Sequence, residues 1–337
     1  MNPIINLRNF IAAFVVAVLF LIPYELYFKY IEKWPASYDL KSLDMWADWR
    51  AKVDDLSSDD VLILGSSRGH FDLNIHLWDS ITGNRPVMLA YPGSSPLHTI
   101  EDVIENSTFN GLLIISIAPG LFYTMKGSWG AGRGKDLVDH YYNRTYAQQI
   151  SSIVYKIIDP LFSYTQGGDL NLKGLIERIP FQNRDSIRGA TIWPPMVAMD
   201  KYRNIRMLPE MENDSIIQKQ QTDIWYNPNP KNRFADSIDV VIGHYVNLVE
   251  RHKEKGGRVA FIRPPVTDYY LETETRLYPR EKYWDRLILE SSCPGYHFQD
   301  YEETKYMIPP EWSHLNRRDA DAYTKTIIQL LTRDQLQ

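Results

Sequence analysis

The stretch Val61-Leu62-Ile63-Leu64-Gly65-Ser66-Ser67-Arg68 predicts the centre of the fold. Four apolar residues run into a glycine and two serines, a pattern typical of a buried parallel strand that ends in a tight turn. In open α/β sheets, ligands bind outside the carboxyl ends of such strands. The turn therefore places a serine hydroxyl where a site is expected, although a serine-rich turn without chemistry is the simpler interpretation of this stretch alone.

Three later apolar runs have the same character. They lie at residues 87–89, 112–117 and 259–262, and patterns typical of amphipathic helices separate them. Alternating strands and helices are typical of proteins with a parallel sheet and helices on both faces. We therefore expect an α/β fold in three layers, similar to the flavodoxin-like folds, with a last short strand at residues 298–301.

Residues 121–233 interrupt this alternation. The segment is long, aromatic and irregular, and we interpret it as an insertion that forms a lid or one wall of a cleft. Within it, Gly130-Ala131-Gly132-Arg133-Gly134-Lys135 lacks the glycine spacing and the following Ser or Thr of a phosphate-binding loop. A flexible loop is the expected structure there.

The amino-terminal segment predicts a membrane anchor. Residues 10–21 carry no charge, and the apolar run covers residues 4–28 if the few polar side chains lie at the interfaces. About 20 mostly apolar residues suffice for a spanning helix. Aromatic residues, typical of the membrane–water boundary, cluster at its far end: Tyr24, Tyr27, Tyr30 and Trp34.

A cleaved signal peptide and a buried core helix are the alternatives, but no small-x-small cleavage site follows the run. We favour an uncleaved anchor over residues 1–30, a stalk over 31–58 with one amphipathic helix, and one α/β domain over 59–337. The lysines and arginines around the span do not decide its orientation.

Composition excludes several classes of partner. The 337 residues carry a net charge of −5, so the basic surface that nucleic acid requires is not expected. The chain has one cysteine, Cys293, which excludes an intrachain disulfide and a zinc site built from several cysteines.

The candidate chemistry is nucleophilic. A serine hydroxyl such as Ser67 needs a base to take its proton, and His314 in Glu311-Trp312-Ser313-His314 is the best placed histidine. This stretch precedes the last predicted helix and so lies at the rim of the sheet. Glu311 can bond the other ring nitrogen and fix the tautomer. The simpler interpretation is the amino-terminal cap region of a helix, with Ser313 or Asn316 as the capping residue and the acid favoured by the helix dipole.

Two arginines flank the same rim. Arg68 follows Ser67 directly and could bind an anionic group of a substrate, or it could be a surface charge. Arg263 closes the fourth predicted strand, where it could contact substrate, although a salt bridge is the simpler interpretation. Ser66 is the second hydroxyl of the turn, and we rank it behind Ser67 as the nucleophile.

A Gly-x-Ser turn after the first strand, here Gly65-Ser66-Ser67, together with acid-x-x-His before the last helix, resembles the SGNH (GDSL-type) hydrolase superfamily. The anchored layout is similar to its membrane-anchored members, DltD and the alginate O-acetylation proteins. The resemblance implies that Ser67 is the nucleophile, that His314 is the base, and that Glu311 stands where the family most often has Asp. It also implies an oxyanion hole formed by the backbone N–H groups of Gly93 and Ser67.

One family element has no match. The Gly-x-Asn motif after the third strand is replaced here by Ile117-Ala118-Pro119-Gly120, so one oxyanion donor is missing or comes from elsewhere. The resemblance implies no metal and no organic cofactor.

The implied function is that of a membrane-anchored serine esterase or O-acyltransferase. Its substrate would be an acylated cell-envelope polysaccharide or glycolipid, with the domain outside the cytoplasmic membrane of a bacterium. The alternative is a non-catalytic scaffold that binds glycan or an envelope partner. A nucleotide-binding flavodoxin-like domain fits the alternation but lacks a glycine-rich phosphate turn.

Overall fold

A parallel sheet organises the computed structural model, which describes residues 7–165 and 193–337. The strands in these residues are β1 Val61–Gly65, β2 Val87–Met88, β3 Leu112–Ser116, β4 Val197–Met199, β5 Ile205–Met207, β6 Arg258–Arg263 and β7 Gly295–His297. The main sheet has the order β2-β1-β3-β6-β7, and each neighbouring pair in it is parallel. β4 and β5 form a separate antiparallel pair.

The four strands predicted from apolar runs are confirmed as neighbours in this sheet. The predicted fifth strand at residues 298–301 is wrong, because Phe298–Asp300 is a 3₁₀ turn and the strand is β7, just before it. After β7 the chain bends: the His297 ring accepts a hydrogen bond from Gln299 N–H, and the Thr304 hydroxyl donates to the Phe298 carbonyl. Local side-chain bonds of this kind compete with strand pairing.

Helices connect the strands. Their bounds are α1 Leu7–Leu26, α2 Leu43–Arg50, α3 Ser67–Phe71, α4 Ile75–Thr82, α5 Leu97–Asn106, α6 Pro119–Phe122, α7 Trp129–Asn143, α8 Tyr146–Ile158, α9 Pro209–Asn213, α10 Ser215–Trp225, α11 Ile238–Glu254, α12 Asp268–Leu277, α13 Arg280–Ser291 and α14 Arg317–Arg333. The glycine-rich stretch at 130–135 lies inside α7, so the loop expected there is wrong. Its glycines permit close packing: a Cβ at Gly134 would lie 2.6 Å from the Ser95 carbonyl oxygen.

Alternate residues of the strands enter two separate apolar clusters. Leu62 and Leu64 pack with side chains from α2, α5, α11 and α13. Ile63 packs with side chains from α4 and α14. Burial of both sets explains why these strands are continuously apolar. The α/β class with a parallel sheet is confirmed, while the three-layer arrangement and the SGNH fold itself stay predictions.

The amino-terminal helix stands apart from both clusters. α1 continues through a π-helical turn, so that Leu7–Ile31 is one helix of 25 residues, and its most apolar 18-residue window has a mean hydropathy of 2.2. Large apolar side chains such as Phe14 and Phe20 are exposed on it. Among the described residues this is one helix long and apolar enough to cross a membrane.

The predicted stalk contains α2, which packs on the domain. The Trp46 indole is fully buried and donates a hydrogen bond to the Leu89 carbonyl at 2.9 Å. The Arg50 guanidinium, also fully buried, donates to Asp102 at 2.5 Å. α2 is therefore packed against the domain, and the amphipathic pattern of this helix reflects that packing.

The approach of α3 to β3 generates a prediction on stability. A Cβ at Gly69 of α3 would lie 2.6 Å from the Ser116 Cβ of β3, whereas one at Gly132 of α7 would meet nothing within 4 Å. Gly69→Ala should lower the free energy of unfolding by about 1–3 kcal/mol through overpacking. Gly132→Ala should leave it unchanged or raise it by up to about 1 kcal/mol. Urea unfolding of the full chain in detergent micelles measures both, and equal effects of the two variants would contradict the close approach.

Candidate functional site

A cavity of about 550 Å³ lies at the carboxyl ends of β1, β2 and β3. Ser67, Arg68, Gly93 and His314 all line it, so the structure brings four of the predicted site residues to one place. Further lining residues come from the predicted insertion and from the segment after the membrane helix; they include Trp34, Tyr38, Trp129, Arg133, Trp193 and Trp225.

The two serines of the turn have different environments. Ser67 is the first residue of α3, is half-buried and lines the cavity. Ser66 is the residue before the helix, is 1% exposed, and its hydroxyl has no hydrogen-bond partner among the described residues. The backbone N–H of Ser67 lies in the first turn of α3, where helix geometry provides no intrahelical acceptor. Of the two serines, Ser67 is therefore the one that lines the cavity.

The His314 imidazole is held by Glu311. Both side chains are buried, and the ring Nδ1 lies 2.8 Å from Glu311 Oε1. The backbone N–H of His314 donates to the same oxygen at 2.6 Å. A carboxylate at Nδ1 favours the tautomer with its proton on that nitrogen, so Nε2 carries the lone pair.

Nε2 of His314 is buried and has no hydrogen-bond partner among the described residues. Buried acceptors are usually paired, so an unpaired one in a cavity calls for a chemical explanation. A substrate or serine hydroxyl that entered the cavity could supply the missing donor. The arrangement is suited to accepting a proton.

Two aromatic side chains fix the ring further. Phe71 packs against it with ring centroids 4.3 Å apart, and the Trp225 ring lies 6.2 Å away. The Trp225 indole N–H donates to Glu311 Oε2 at 2.7 Å. Glu311 thus accepts three hydrogen bonds. Sequence reasoning missed Trp225, because it lies 86 positions before Glu311, in a segment predicted to be irregular, and carries no motif.

Hydrogen bonds tie the serine turn to the histidine turn. The Leu315 N–H donates to Asp72 Oδ1 at 2.9 Å, and Arg68 Nε donates to Ser313 Oγ at 3.1 Å. Arg68 lies in α3 and Asp72 is the residue directly after it, while Ser313 and Leu315 flank His314. These bonds hold the two halves of the cavity in one geometry.

Arg68 and Arg263 share one buried carboxylate. Arg68 makes two hydrogen bonds to Glu274, at 3.0 and 2.7 Å, and Arg263 also pairs with it. Burial raises the pKa of Glu274, but Arg263 and Arg68 lower it more, and the pKa lies below its usual value. Arg68 lines the cavity and is buried, so the interpretation of Arg68 as a surface charge is wrong. The salt bridge that was the simpler interpretation of Arg263 is confirmed, with Glu274 as its partner. Their contact with substrate stays a prediction.

Arg133 is a cation beside Gly93 that sequence reasoning missed. Its guanidinium stacks on Trp129 and Tyr91, at 5.1 and 5.6 Å from the ring centroids. A Cβ at Gly93, where φ is +68°, would lie 2.9 Å from Arg133 Nη1. No carboxylate of the described residues pairs with Arg133. Its positive charge therefore lies next to the predicted oxyanion donor.

The place of the missing asparagine is lined by Ala118 and Gly120. Neither residue has a side chain that can donate a hydrogen bond.

Among the described residues, no group of three or more His, Cys, Asp or Glu side chains is arranged to hold a metal ion.

No protein-family model and no curated protein sequence matches the chain. The chemistry of the cavity is therefore argued from its residues and their geometry.

The tie between Asp72 and Leu315 generates a second prediction. Burial raises the pKa of Asp72 well above its usual value, more than the Leu315 N–H and Arg68 lower it, so the folded state favours the neutral carboxyl. Asp72→Ala leaves the Leu315 N–H unpaired and should cost about 1–3 kcal/mol of unfolding free energy. Asp72→Asn keeps an acceptor and should retain most of the parent's stability at pH 7.

The pH dependence of stability separates the effect of the hydrogen bond to Leu315 from the effect of the buried Asp72 charge. A raised pKa in the folded state means that ionisation of Asp72 destabilises the folded protein. This destabilisation is present above the pKa of Asp in the unfolded chain, about 3.9, and is absent below it. As the pH falls from 7 to about 4, the parent should therefore gain stability relative to Asp72→Asn. Urea titrations of the full chain at both pH values check this, and an Asn variant as unstable as the Ala variant would contradict the role of the bond.

Proposed function

We propose that the chain is a membrane-anchored serine acyl esterase or O-acyltransferase of the SGNH type. The observation that supports this most is the buried His314–Glu311 pair: His314 Nε2 is unpaired among the described residues, and His314 lines the same cavity as Ser67. A nucleophile, a base and a group that orients the base are the parts that acyl transfer through a serine requires.

The proposed reaction has two halves. His314 Nε2 takes the proton of Ser67 as Oγ attacks the carbonyl carbon of the acyl ester. The tetrahedral intermediate collapses, the C–O bond to the leaving alcohol breaks, and His314 returns the proton to that alcohol. An acyl group then remains on Ser67, and water or an acceptor hydroxyl, deprotonated by His314, removes it by the same steps.

The oxyanion is stabilised by backbone N–H groups of Ser67 and Gly93. Loss of one oxyanion donor typically costs about 10²–10³ in rate, so the missing asparagine requires compensation. The Arg133 guanidinium supplies positive charge beside Gly93, the second proposed donor. Electrostatic stabilisation from a positioned cation is the effect that a further donor would give.

The proposed substrate is an acylated cell-envelope polysaccharide or glycolipid. Aromatic side chains in the cavity lining, Trp129, Trp193 and Trp225 among them, offer flat apolar faces for sugar rings or acyl chains. The domain is proposed to lie outside the cytoplasmic membrane of a bacterium, held by residues 4–28.

Substitution of the two serines and the histidine tests the chemistry. Ser67→Ala and His314→Ala should each lower kcat/KM for p-nitrophenyl acetate by at least about 10³, and the double variant should be no worse, since such residues act as a unit. Ser66→Ala, the matched control, should retain most activity. A fluorophosphonate probe should label the parent and the Ser66→Ala variant but not the Ser67→Ala variant. An unlabelled parent with a folded domain would reject the enzyme and favour the scaffold.

Reporter fusions test the location. Alkaline phosphatase fused after Gln337 should be active in a bacterial host, because that enzyme needs the oxidising exterior for its disulfides. A reporter that works in the cytoplasm, fused at the same residue, should be inactive. The opposite pattern would place the domain in the cytoplasm and exclude an envelope substrate.

A further inference from the structure

α8 exposes a continuous apolar face that points away from the domain. Its inner side is marked by Ser152, which is buried and donates to Asp48 Oδ2 at 2.8 Å. At 100° per residue, the positions opposite Ser152 are large and apolar. They are Tyr146, Ile150, Ile153 and Ile157, which are 84, 64, 60 and 65% exposed.

Charge is confined to the inner side of this helix. Lys156, the one charged residue in the sequence of α8, pairs with the Asp48 carboxylate at 2.5 Å. Asp48 also pairs with Arg144. The inner face is thus satisfied by polar contacts with the domain, whereas the outer face has none. Several large apolar side chains exposed side by side on one face of a helix mark a site of interaction.

The helix is attached to the end of the membrane-spanning segment. The Glu25 carboxylate, near the end of α1, accepts hydrogen bonds from the N–H groups of Ser163 and Tyr164 at 2.9 and 3.1 Å. The Ser163 hydroxyl donates to the Trp34 carbonyl at 2.8 Å. The residues just after α8 are therefore bonded to the place where the chain leaves the predicted membrane span.

The cavity shares this attachment. Trp34 and Tyr38 line it, and the Tyr38 hydroxyl donates to the Lys156 carbonyl of α8 at 3.1 Å. One short segment after the span therefore connects the anchor, α8 and one end of the cavity.

We propose that α8 lies flat on the surface of the phospholipid bilayer that α1 spans, with Ile150, Ile153 and Ile157 in the acyl boundary. An amphipathic helix with one apolar face and one polar face is the element that binds membranes in this way. The Glu25 contacts hold the residues that follow α8 beside the end of α1, whose large apolar side chains are also exposed, and this attachment favours the bilayer over a separate partner. Bound in this way, α8 holds the end of the cavity at residues 34–41 near the membrane surface.

Site-specific labelling of the full chain tests this contact without reference to its activity. In a Cys293→Ala background, Ile150→Cys and Ile157→Cys carry an NBD fluorophore on the outer face of α8. Asp136→Cys, on the exposed side of α7, is the matched control. The labelled proteins are reconstituted in phosphatidylcholine–phosphatidylglycerol vesicles with and without doxyl-labelled lipid.

Labels at positions 150 and 157 should emit at shorter wavelength than the label at 136, and doxyl lipid should quench them several-fold more. Emission at all three positions like that of a label in water would overturn the proposal. Shielded emission at 150 and 157 without quenching by doxyl lipid would overturn it too, because protein would then cover the face, either a second copy or residues 166–192. Thermal unfolding of each labelled protein near that of the parent confirms that the comparison is between folded chains.

Discussion

The parallel pairing of β1 with β2 and β3 is the constraint on which the proposed site depends. Gly65 lies opposite Ser116 in register, so the three strands end at the same edge of the sheet. The turns that follow them carry Ser67, Gly93 and Ala118, and all three residues line the same cavity. α3 begins directly after β1 and passes so close to Ser116 that only a glycine fits at position 69. The position of the Ser67 hydroxyl is thus set by backbone geometry before any side chain contributes.

A second requirement is that the carboxyl-terminal part of the chain returns to this edge. The bonds from Leu315 to Asp72 and from Arg68 to Ser313 join residues 243 and 245 positions apart. Both are buried, as is the Glu274 carboxylate between Arg68 and Arg263. Loss of one member of a buried ion pair leaves a charge without a partner, which is strongly destabilising. The network therefore favours one arrangement of the serine and histidine turns.

The same edge of the domain is connected to the amino-terminal helix α1. α2 inserts Trp46 into the apolar cluster of one sheet face, and Asp48 on the same helix receives Ser152, Lys156 and Arg144 from the region of α7 and α8. Because these polar contacts satisfy the inner side of α8, its apolar residues are left on the outside. Glu25 and Trp34 then join the end of α1 to the residues that follow α8. α1, α8 and the cavity wall are therefore joined by a connected set of contacts.

The amino-acid sequence by itself determined the elements whose signal is local. The four apolar runs specified their strands and their shared sheet, because buried parallel strands are continuously apolar. Length and hydropathy specified the amino-terminal helix. Ser67, His314 and Glu311 were selected because their residue types and spacing suit a nucleophile and its base.

Only the tertiary structure decided the features that depend on distant residues. The position of β7 was mispredicted because side-chain bonds after it bend the chain, and α7 was mispredicted because its glycines serve close packing and not flexibility. Trp225 and Arg133 have no motif, since their roles come from contacts with residues far away in the sequence. The two arginines at the rim share Glu274, which no spacing indicates. The local sequence pattern indicates which side chains of a helix or strand are buried. The side chains that they contact are decided by the tertiary structure, because those partners lie far away in the sequence.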